Sequence, residues 1–166
     1  KGQLGHDVVN ELVKRNHEAI GVDIEDMDIT DSHSVNQTLK ACSPDAVIHC
    51  AAWTAVDAAE DEENREKVHQ VNALGTENIA VVCKELDIKM MYISTDYVFD
   101  GQGTKPWEPD CKEYNPLSVY GSSKLAGELA VCNTLSKYFI VRIAWVFGKN
   151  GNNFIKTMLN VGKKFD

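Results

Sequence analysis

Tyr120 and Lys124 are the two residues whose types and spacing most directly suggest chemistry. They lie four positions apart in "YGSSKLAGE" (120–128), a stretch with a helical pattern, so both side chains leave the same helical face about 6 Å apart. A free phenol has a pKa of about 10 and is a poor acid at neutral pH, but a nearby ammonium lowers that pKa. The spacing therefore suggests a tyrosine tuned for proton transfer, although an ordinary surface pair has the same spacing.

Ser94 ends the run "IKMMYIS" (88–94), and two more polar side chains, Thr95 and Asp96, follow it. If this run is a strand of a parallel sheet, they lie at its carboxyl end, where such sheets bind ligands. The Thr95 hydroxyl could then hydrogen-bond a substrate carbonyl while negative charge develops on its oxygen. Thr95 and Asp96 are equally suited to capping a turn.

The opening segment "KGQLG" leads directly into a helical pattern, as the end of a glycine-rich phosphate-binding turn does. Gly2 would let the backbone approach a pyrophosphate, and Gly5 would let the helix pack closely on its strand. Alone, the two glycines also fit an ordinary turn. Asp23 ends the next predicted strand, where a dinucleotide-binding fold places a carboxylate for the adenosine ribose hydroxyls. Together they indicate a dinucleotide site.

Apolar runs alternate with helical stripes along the chain. The runs are nearly continuous in apolar residues, which is typical of strands covered on both faces, and they predict strands at 18–23, 44–52, 88–94 and 138–148. Helices are predicted around Val8, Val9, Leu12 and Val13; around Val35 and Leu39 after an N-cap at Asp31 or Ser32; from about 57 to 86, with Ile79, Val82, Cys83 and Leu86 on one face; and from Tyr120, with Leu125, Leu129 and Cys132 as the packing stripe. A loop is predicted from 100 to 116. The pattern predicts a doubly wound parallel α/β sheet of Rossmann-like type.

Composition narrows the class of protein. A net charge of −8 and a pI near 5.1 argue against nucleic acid or an anionic membrane as the main partner. The five cysteines are scattered without a Cys-x-x-Cys pair, which favours reduced thiols. No histidine spacing indicates a metal site, and no apolar run approaches about 18 residues. We expect a cytoplasmic protein that binds no metal.

Six segments, in order along the whole chain, resemble the extended short-chain dehydrogenases/reductases and, within them, the dTDP-4-dehydrorhamnose reductase family. They are "GQLG", "HCAAWTAVDAAE", "VNALGTENIA", "STDYVFDG", "PLSVYGSSKLAGE" and "RIAWVFG…GNNF". The resemblance implies reduction of the C4 carbonyl of a dTDP-4-keto-6-deoxysugar by NADPH or NADH, giving dTDP-L-rhamnose. Related dehydratases carry Asp-Glu after the threonine, but here the pair is Asp96-Tyr97. The base for water elimination is therefore missing, which favours simple carbonyl reduction.

The resemblance also implies roles for individual residues. Tyr120 would donate a proton to the substrate's C4 oxygen, Thr95 would bind the same oxygen, and Lys124 would lower the pKa of Tyr120 and hold the nicotinamide ribose. Asp96 and Trp145 would contact the nucleotide sugar. The cofactor would be lined by Gly2, Gln3, Leu4, Gly5, Asp23, Asp28, Ile29, Ala52, Trp53 and Thr54, together with Tyr120 and Lys124.

Compared with that family, residues 1–166 lack the first strand, the first glycine of the turn and the C-terminal part that supplies much of the substrate lobe. We therefore expect a partial NAD(P)-binding domain that is truncated at both ends. Because a missing central strand exposes apolar faces, we expect residues 1–166 alone to be unstable or to aggregate; a cooperative thermal transition would contradict this.

Several alternatives remain open at this stage. The chain could belong to a non-catalytic NADP(H)-binding regulatory subunit, or to a reductase or epimerase of another nucleotide sugar. A carboxylate at position 23 usually favours NADH, but the family uses both cofactors. A homodimer is possible.

Overall fold

Three parallel strands form one sheet in the computed structural model, which describes residues 2–164. The strands are β1 (Ala46–His49), β2 (Lys89–Thr95) and β3 (Tyr138–Ile143), with β2 in the centre. Ala46 lies opposite Lys89 and Thr95 opposite Ile143, so the carboxyl ends of the strands meet at one edge of the sheet. The predicted parallel α/β fold is confirmed.

Six helices surround these strands in the described residues. They are α1 (Gln3–Lys14), α2 (Ser32–Cys42), α3 (Glu62–His69), α4 (Gly75–Glu85), α5 (Val119–Thr134) and α6 (Phe154–Gly162). Short 3₁₀ turns occupy Asp57–Glu60 and Asp96–Val98, and a π-helical turn, Gln70–Leu74, joins α3 to α4.

The core lies where α2, α4 and α5 pack against one another and against β2. Its buried apolar side chains include Val35, Leu39, Ile79, Cys83, Met90, Tyr92 and Val131. The predicted N-cap of α2 is confirmed, because the Asp31 side chain accepts a hydrogen bond from the backbone N–H of His33 at 2.9 Å. This cap fixes the start of α2, so that Val35 and Leu39 point into the core.

The predicted strand at 18–23 is wrong: residues 17–23 have no regular secondary structure. A strand forms only by pairing its backbone groups, and β2 is the sole ladder partner of β1 in the described part of the chain. The helix predicted nearby does form as α1, but none of its residues is buried. An apolar run forms a strand only when its backbone can hydrogen-bond to a neighbouring strand.

Other predicted elements also have different limits from those expected, and the strand predicted at 44–52 forms only as β1. The helix expected from about 57 to 86 begins at Glu62, after the 3₁₀ turn, and contains the π-helical turn. The strand expected to reach 148 ends at Ile143. Trp145 has a φ of +53°, a left-handed conformation that cannot continue a strand.

The predicted packing stripe of α5 is wrong for two of its three residues, since only Leu125 is half-buried. Leu129 is 45% exposed and Cys132 is exposed, whereas the buried face of the helix consists of Gly121, Ser123, Lys124, Gly127, Glu128 and Val131. A Cβ atom at position 127 would lie 2.6 Å from the Asn72 carbonyl oxygen and in contact with the Tyr92 hydroxyl. The glycine therefore lets α5 approach β2 and the π-helical turn through a polar face.

Three further observations concern the part of the chain that the structure describes. No helix within residues 2–164 is long and apolar enough to span a bilayer. All five cysteines are free thiols. No group of three or more His, Cys, Asp or Glu side chains among the same residues could hold a metal ion.

Candidate active site

Thr95 lies at the carboxyl end of the central strand, where the 3₁₀ turn of 96–98 begins. Its hydroxyl accepts from the Tyr97 backbone N–H and donates to the Asp96 carboxylate, each at 3.2 Å. The side chain is thus a turn cap, as one interpretation of the sequence predicted. Its burial and the influence of its hydroxyl on the pKa of Tyr120 also indicate a polar site at the sheet edge.

Tyr120 reaches this site from the first turn of α5. The helix start is fixed twice: the Ser118 hydroxyl accepts from the Gly121 N–H at 3.0 Å, and the Glu60 carboxylate accepts from the Val119 N–H at 2.7 Å. The ring edge of Tyr97 packs on Tyr120 with centroids 6.0 Å apart. Burial raises the pKa of Tyr120, and a side-chain hydrogen bond with Thr95 partly opposes this.

We expected Lys124 to lower the pKa of Tyr120, but the pKa of Tyr120 is raised in this structure. The net pKa shift is upward, because burial and the neighbouring Asp96 and Tyr97 raise the pKa and outweigh the lowering by Thr95. The Lys124 ammonium instead donates to the Ile93 carbonyl at 2.8 Å and lies 4.1 Å from the centroid of the Tyr92 ring. Lys124 is not among the groups that shift the pKa of Tyr120, so its acidification of Tyr120 stays a prediction.

Lys124 is itself strongly perturbed, because the residue is only 2% exposed. Burial lowers its pKa to about 7, and the charges of Glu128 and Cys50 oppose the shift. A lysine near neutrality can change its charge at physiological pH, which is a common property of functional sites.

Asn72 is a site residue that the sequence analysis missed. From the π-helical turn, its side-chain oxygen accepts from the Trp53 N–H at 2.8 Å, and its amide nitrogen donates to the Ser123 hydroxyl at 2.9 Å. That hydroxyl donates to the Tyr120 carbonyl at 2.7 Å. Asn72 thus ties the segment after β1 to the helix that carries Tyr120. The available signal was a polar residue on the buried face of an otherwise apolar helix.

The amino end of α1 adjoins the same sheet edge. Gly2 is the N-cap and provides no side-chain cap, so the first backbone N–H groups of the helix are open to an anion. A Cβ atom at Gly5 would lie 3.8 Å from the Cys50 Cβ, so this end packs beside the residue that follows β1. Gln3 lies against the loop after β3, with its amide 2.9 Å from the Asn150 carbonyl oxygen.

The other predicted site residues are more dispersed. The Asp23 carboxylate accepts from the Ile24 N–H, and that of Asp28 accepts from the N–H and hydroxyl of Thr30. Ile29 packs against Gly75 on α4. Ala52, Trp53 and Thr54 lie in the segment after β1, which Asn72 holds at Trp53. Trp145 is 75% exposed and packs edge-on against Phe154, with ring centroids 5.2 Å apart.

Comparison with known proteins identifies the family. The family described as "RmlD substrate binding domain" matches residues 1–166. The chain belongs to this family. A curated relative, the dTDP-4-keto-6-deoxy-D-glucose reductase of Streptomyces niveus, is 37% identical over 161 residues, covering 96% of this chain and 55% of that protein. The chain thus spans about half the length of the curated relatives it matches.

Two solved structures have closely similar folds. The dTDP-4-dehydrorhamnose reductase of Clostridium acetobutylicum ATCC 824 is 43% identical with a TM-score of 0.93, covering 99% of this chain and 57% of that one. The enzyme of the same name from Bacillus anthracis str. Ames, solved in complex with NADP, is 42% identical with a TM-score of 0.92, covering 98% and 57%. These matches confirm the predicted Rossmann-like fold and family resemblance.

Proposed function

We propose that residues 1–166 are the partial NAD(P)-binding domain of a dTDP-4-dehydrorhamnose reductase. The protein would reduce the C4 carbonyl of dTDP-4-dehydrorhamnose to give dTDP-L-rhamnose. Relatives with that name match almost the whole chain. The observation that carries the proposal is the placement of Thr95, at the end of the central strand and next to the 3₁₀ turn of 96–98, against α5, whose first turn carries Tyr120 one helical turn from Lys124.

The residues present fit a dinucleotide. The uncapped amino end of α1, with open space around Gly2, suits the pyrophosphate, and the B. anthracis relative was solved with NADP. Leu4, Gly5, Asp23, Asp28 and Ile29, with 52–54, would line the rest of the cofactor. NADPH or NADH, when bound, would supply the hydride for C4.

The chain's own residues would handle the proton. The Tyr120 O–H would donate its proton to the C4 oxygen as C4 gains a hydride, so that the carbonyl becomes an alcohol and the phenolate is reprotonated from solvent. The Thr95 hydroxyl would bind the same oxygen, and Lys124 would stabilise the phenolate and bind ribose hydroxyls. Asp96 and Trp145 would contact the nucleotide sugar.

Tyr120→Phe tests this mechanism in the intact protein. We expect kcat to fall about 10²- to 10⁴-fold, with the Kd for NADPH nearly unchanged, because only the proton donor is removed. NADPH oxidation with dTDP-4-dehydrorhamnose measures the first quantity and cofactor fluorescence the second. Tyr138→Phe, at the opposite end of the sheet, is the matched control. Undiminished turnover by Tyr120→Phe would refute the role.

The same assay separates the alternatives. A regulatory subunit would bind NADPH without oxidising it on any substrate, and a reductase of another nucleotide sugar would prefer an analogue. We further propose that the protein is cytoplasmic. We also propose that it forms a homodimer, because α4 and α5 expose the apolar side chains of Val81 and Leu129. Sedimentation of a purely monomeric intact protein would refute the dimer.

A further inference from the structure

Lys124 is a buried cation held mainly by uncharged groups. Its ammonium donates to the Ile93 carbonyl at 2.8 Å and lies 4.1 Å from the centroid of the Tyr92 ring. The carboxylate one turn along α5, Glu128, makes two hydrogen bonds to Arg142, at 2.9 and 2.7 Å. The charge of Glu128 still favours the Lys124 ammonium, but its oxygens are engaged elsewhere.

A second ring stacks with Tyr92 from the neighbouring strand β1. The His49 and Tyr92 rings are stacked with centroids 5.6 Å apart and planes 23° from parallel. We call Lys124, Tyr92 and His49 the Lys124 stack. All three are buried, and they come from α5, β2 and β1, so the stack joins three elements of the core.

The two rings of the Lys124 stack are uncharged. Burial raises the pKa of Tyr92, which keeps the phenol neutral, and burial with the charge of Lys124 lowers the pKa of His49 to about 3. The Thr76 hydroxyl donates to the Asn72 carbonyl at 2.8 Å, so it accepts from His49 Nε2–H at 3.1 Å. A neutral imidazole stacked with the Tyr92 ring adds no repulsion to the Lys124 ammonium.

The Tyr92 ring is held in place on several sides. Its hydroxyl lies 3.4 Å from the carbonyl oxygens of both Asn72 and Lys124. The absence of a side chain at Gly127 leaves room for this hydroxyl, since a Cβ atom there would clash with it. The ring face is therefore presented to Lys124 in a fixed orientation.

We propose that Tyr92, which stacks with His49, is a positioning residue that favours the charged form of Lys124 and holds its ammonium in place through a cation–π contact. An ammonium has three N–H donors, and the Ile93 carbonyl takes one. A ring face attracts the cation without presenting carboxylate oxygens that would compete with ligand hydroxyls for the other donors. That this contact positions Lys124 to bind the cofactor ribose rests on the proposed function.

A graded change of the ring tests the inference in the intact protein. Position 92 is replaced by Phe, then by phenylalanines with one, two and three ring fluorines, which weaken the negative ring face with little change in size. The Lys124 pKa is read by NMR of ¹³C-labelled lysine, assigned with Lys124→Met, and the NADPH Kd is measured at pH 8. Other ionisable groups near Lys124 are Glu128 on α5, Cys50 after β1 and His49 on β1, and the series leaves them unchanged.

We expect the Lys124 pKa to fall stepwise with each fluorine, and the NADPH Kd at pH 8 to rise in parallel, by about threefold or more over the series. The same series at Phe99, whose ring lies 5.0 Å from the Arg142 guanidinium carbon, is the control and should move neither quantity. A Lys124 pKa that is constant across the position 92 series overturns the inference. A falling pKa with constant NADPH affinity supports the cation–π contact and counts against the ribose role in the proposed function.

Discussion

Lys124 and Arg142 are two inward-facing cations within reach of the same carboxylate, Glu128, but their charges are compensated in different ways. Arg142 forms a bidentate pair with Glu128, and its side chain is 17% exposed against 2% for the glutamate. That hydrogen-bonded pair raises the pKa of Arg142, whereas burial lowers the pKa of Lys124 to about 7. One cation is locked in its charged form, and the other is balanced between two forms.

The difference suggests separate purposes. Arg142 also donates to the Tyr114 hydroxyl at 3.1 Å and lies over the Phe99 and Tyr114 rings, and Phe99 stacks on Trp107. These contacts attach the irregular segment 100–116 to β3 and α5. A cation such as Arg142, with several hydrogen bonds to other side chains, stabilises the structure. Lys124 makes one hydrogen bond, to the Ile93 carbonyl, and so keeps other N–H donors for a ligand.

Removing Arg142 should have the largest effect on stability. Arg142→Met leaves the buried Glu128 carboxylate without its bidentate partner, so the free energy of unfolding of the intact protein should fall by about 3–5 kcal/mol. Urea denaturation measures this loss. The double variant Arg142→Met, Glu128→Leu removes both charges and should recover much of the loss. A double variant as unstable as the sum of the two single variants would contradict a locked pair.

The pair between α5 and β3 also shows what the sequence could not reveal. The apolar residues Leu125 and Leu129 predicted one buried face of α5, but the helix buries Lys124 and Glu128 instead. Burial of these charges depends on two features. Arg142 lies on β3, 14 residues beyond Glu128, and pairs with it, and Gly127 allows α5 to approach closely. Helical periodicity contains neither fact.

Other features were predictable because they depend on local rules. Continuous apolar runs located all three strands, and parallel pairing then places Thr95 at the edge where ligands bind. The i, i+4 spacing placed Lys124 one turn from Tyr120, but the direction of the Lys124 amine toward Ile93 and Tyr92 depends on tertiary packing. The strand predicted at 18–23 failed for a similar reason, since pairing needs a neighbour.

The balance at Lys124 should appear as a pH dependence of stability. The folded pKa of about 7 lies below the ordinary value of 10.5, so the unfolded chain binds more protons between these limits and the free energy of unfolding rises with pH. From pH 7 to pH 9 this contribution should be about 2 kcal/mol. Urea denaturation at both pH values measures it as the difference between the intact protein and Lys124→Met, in which this contribution is absent. Equal pH dependence in the two proteins would show that Lys124 is not perturbed.

Removing one hydrogen bond of Arg142 should have the smallest effect on stability and tests whether Arg142 and Lys124 are independent. Tyr114→Phe removes the hydroxyl that accepts from Arg142 but leaves the bidentate pair and the ring contact intact. We expect a loss of about 0.5–1.5 kcal/mol in the free energy of unfolding and no change in the NMR titration of Lys124. Because the two cations share only the field of Glu128, a shift of the Lys124 pKa in Tyr114→Phe would mean that Glu128 moves when its partner loosens, and that the two sites form one coupled network.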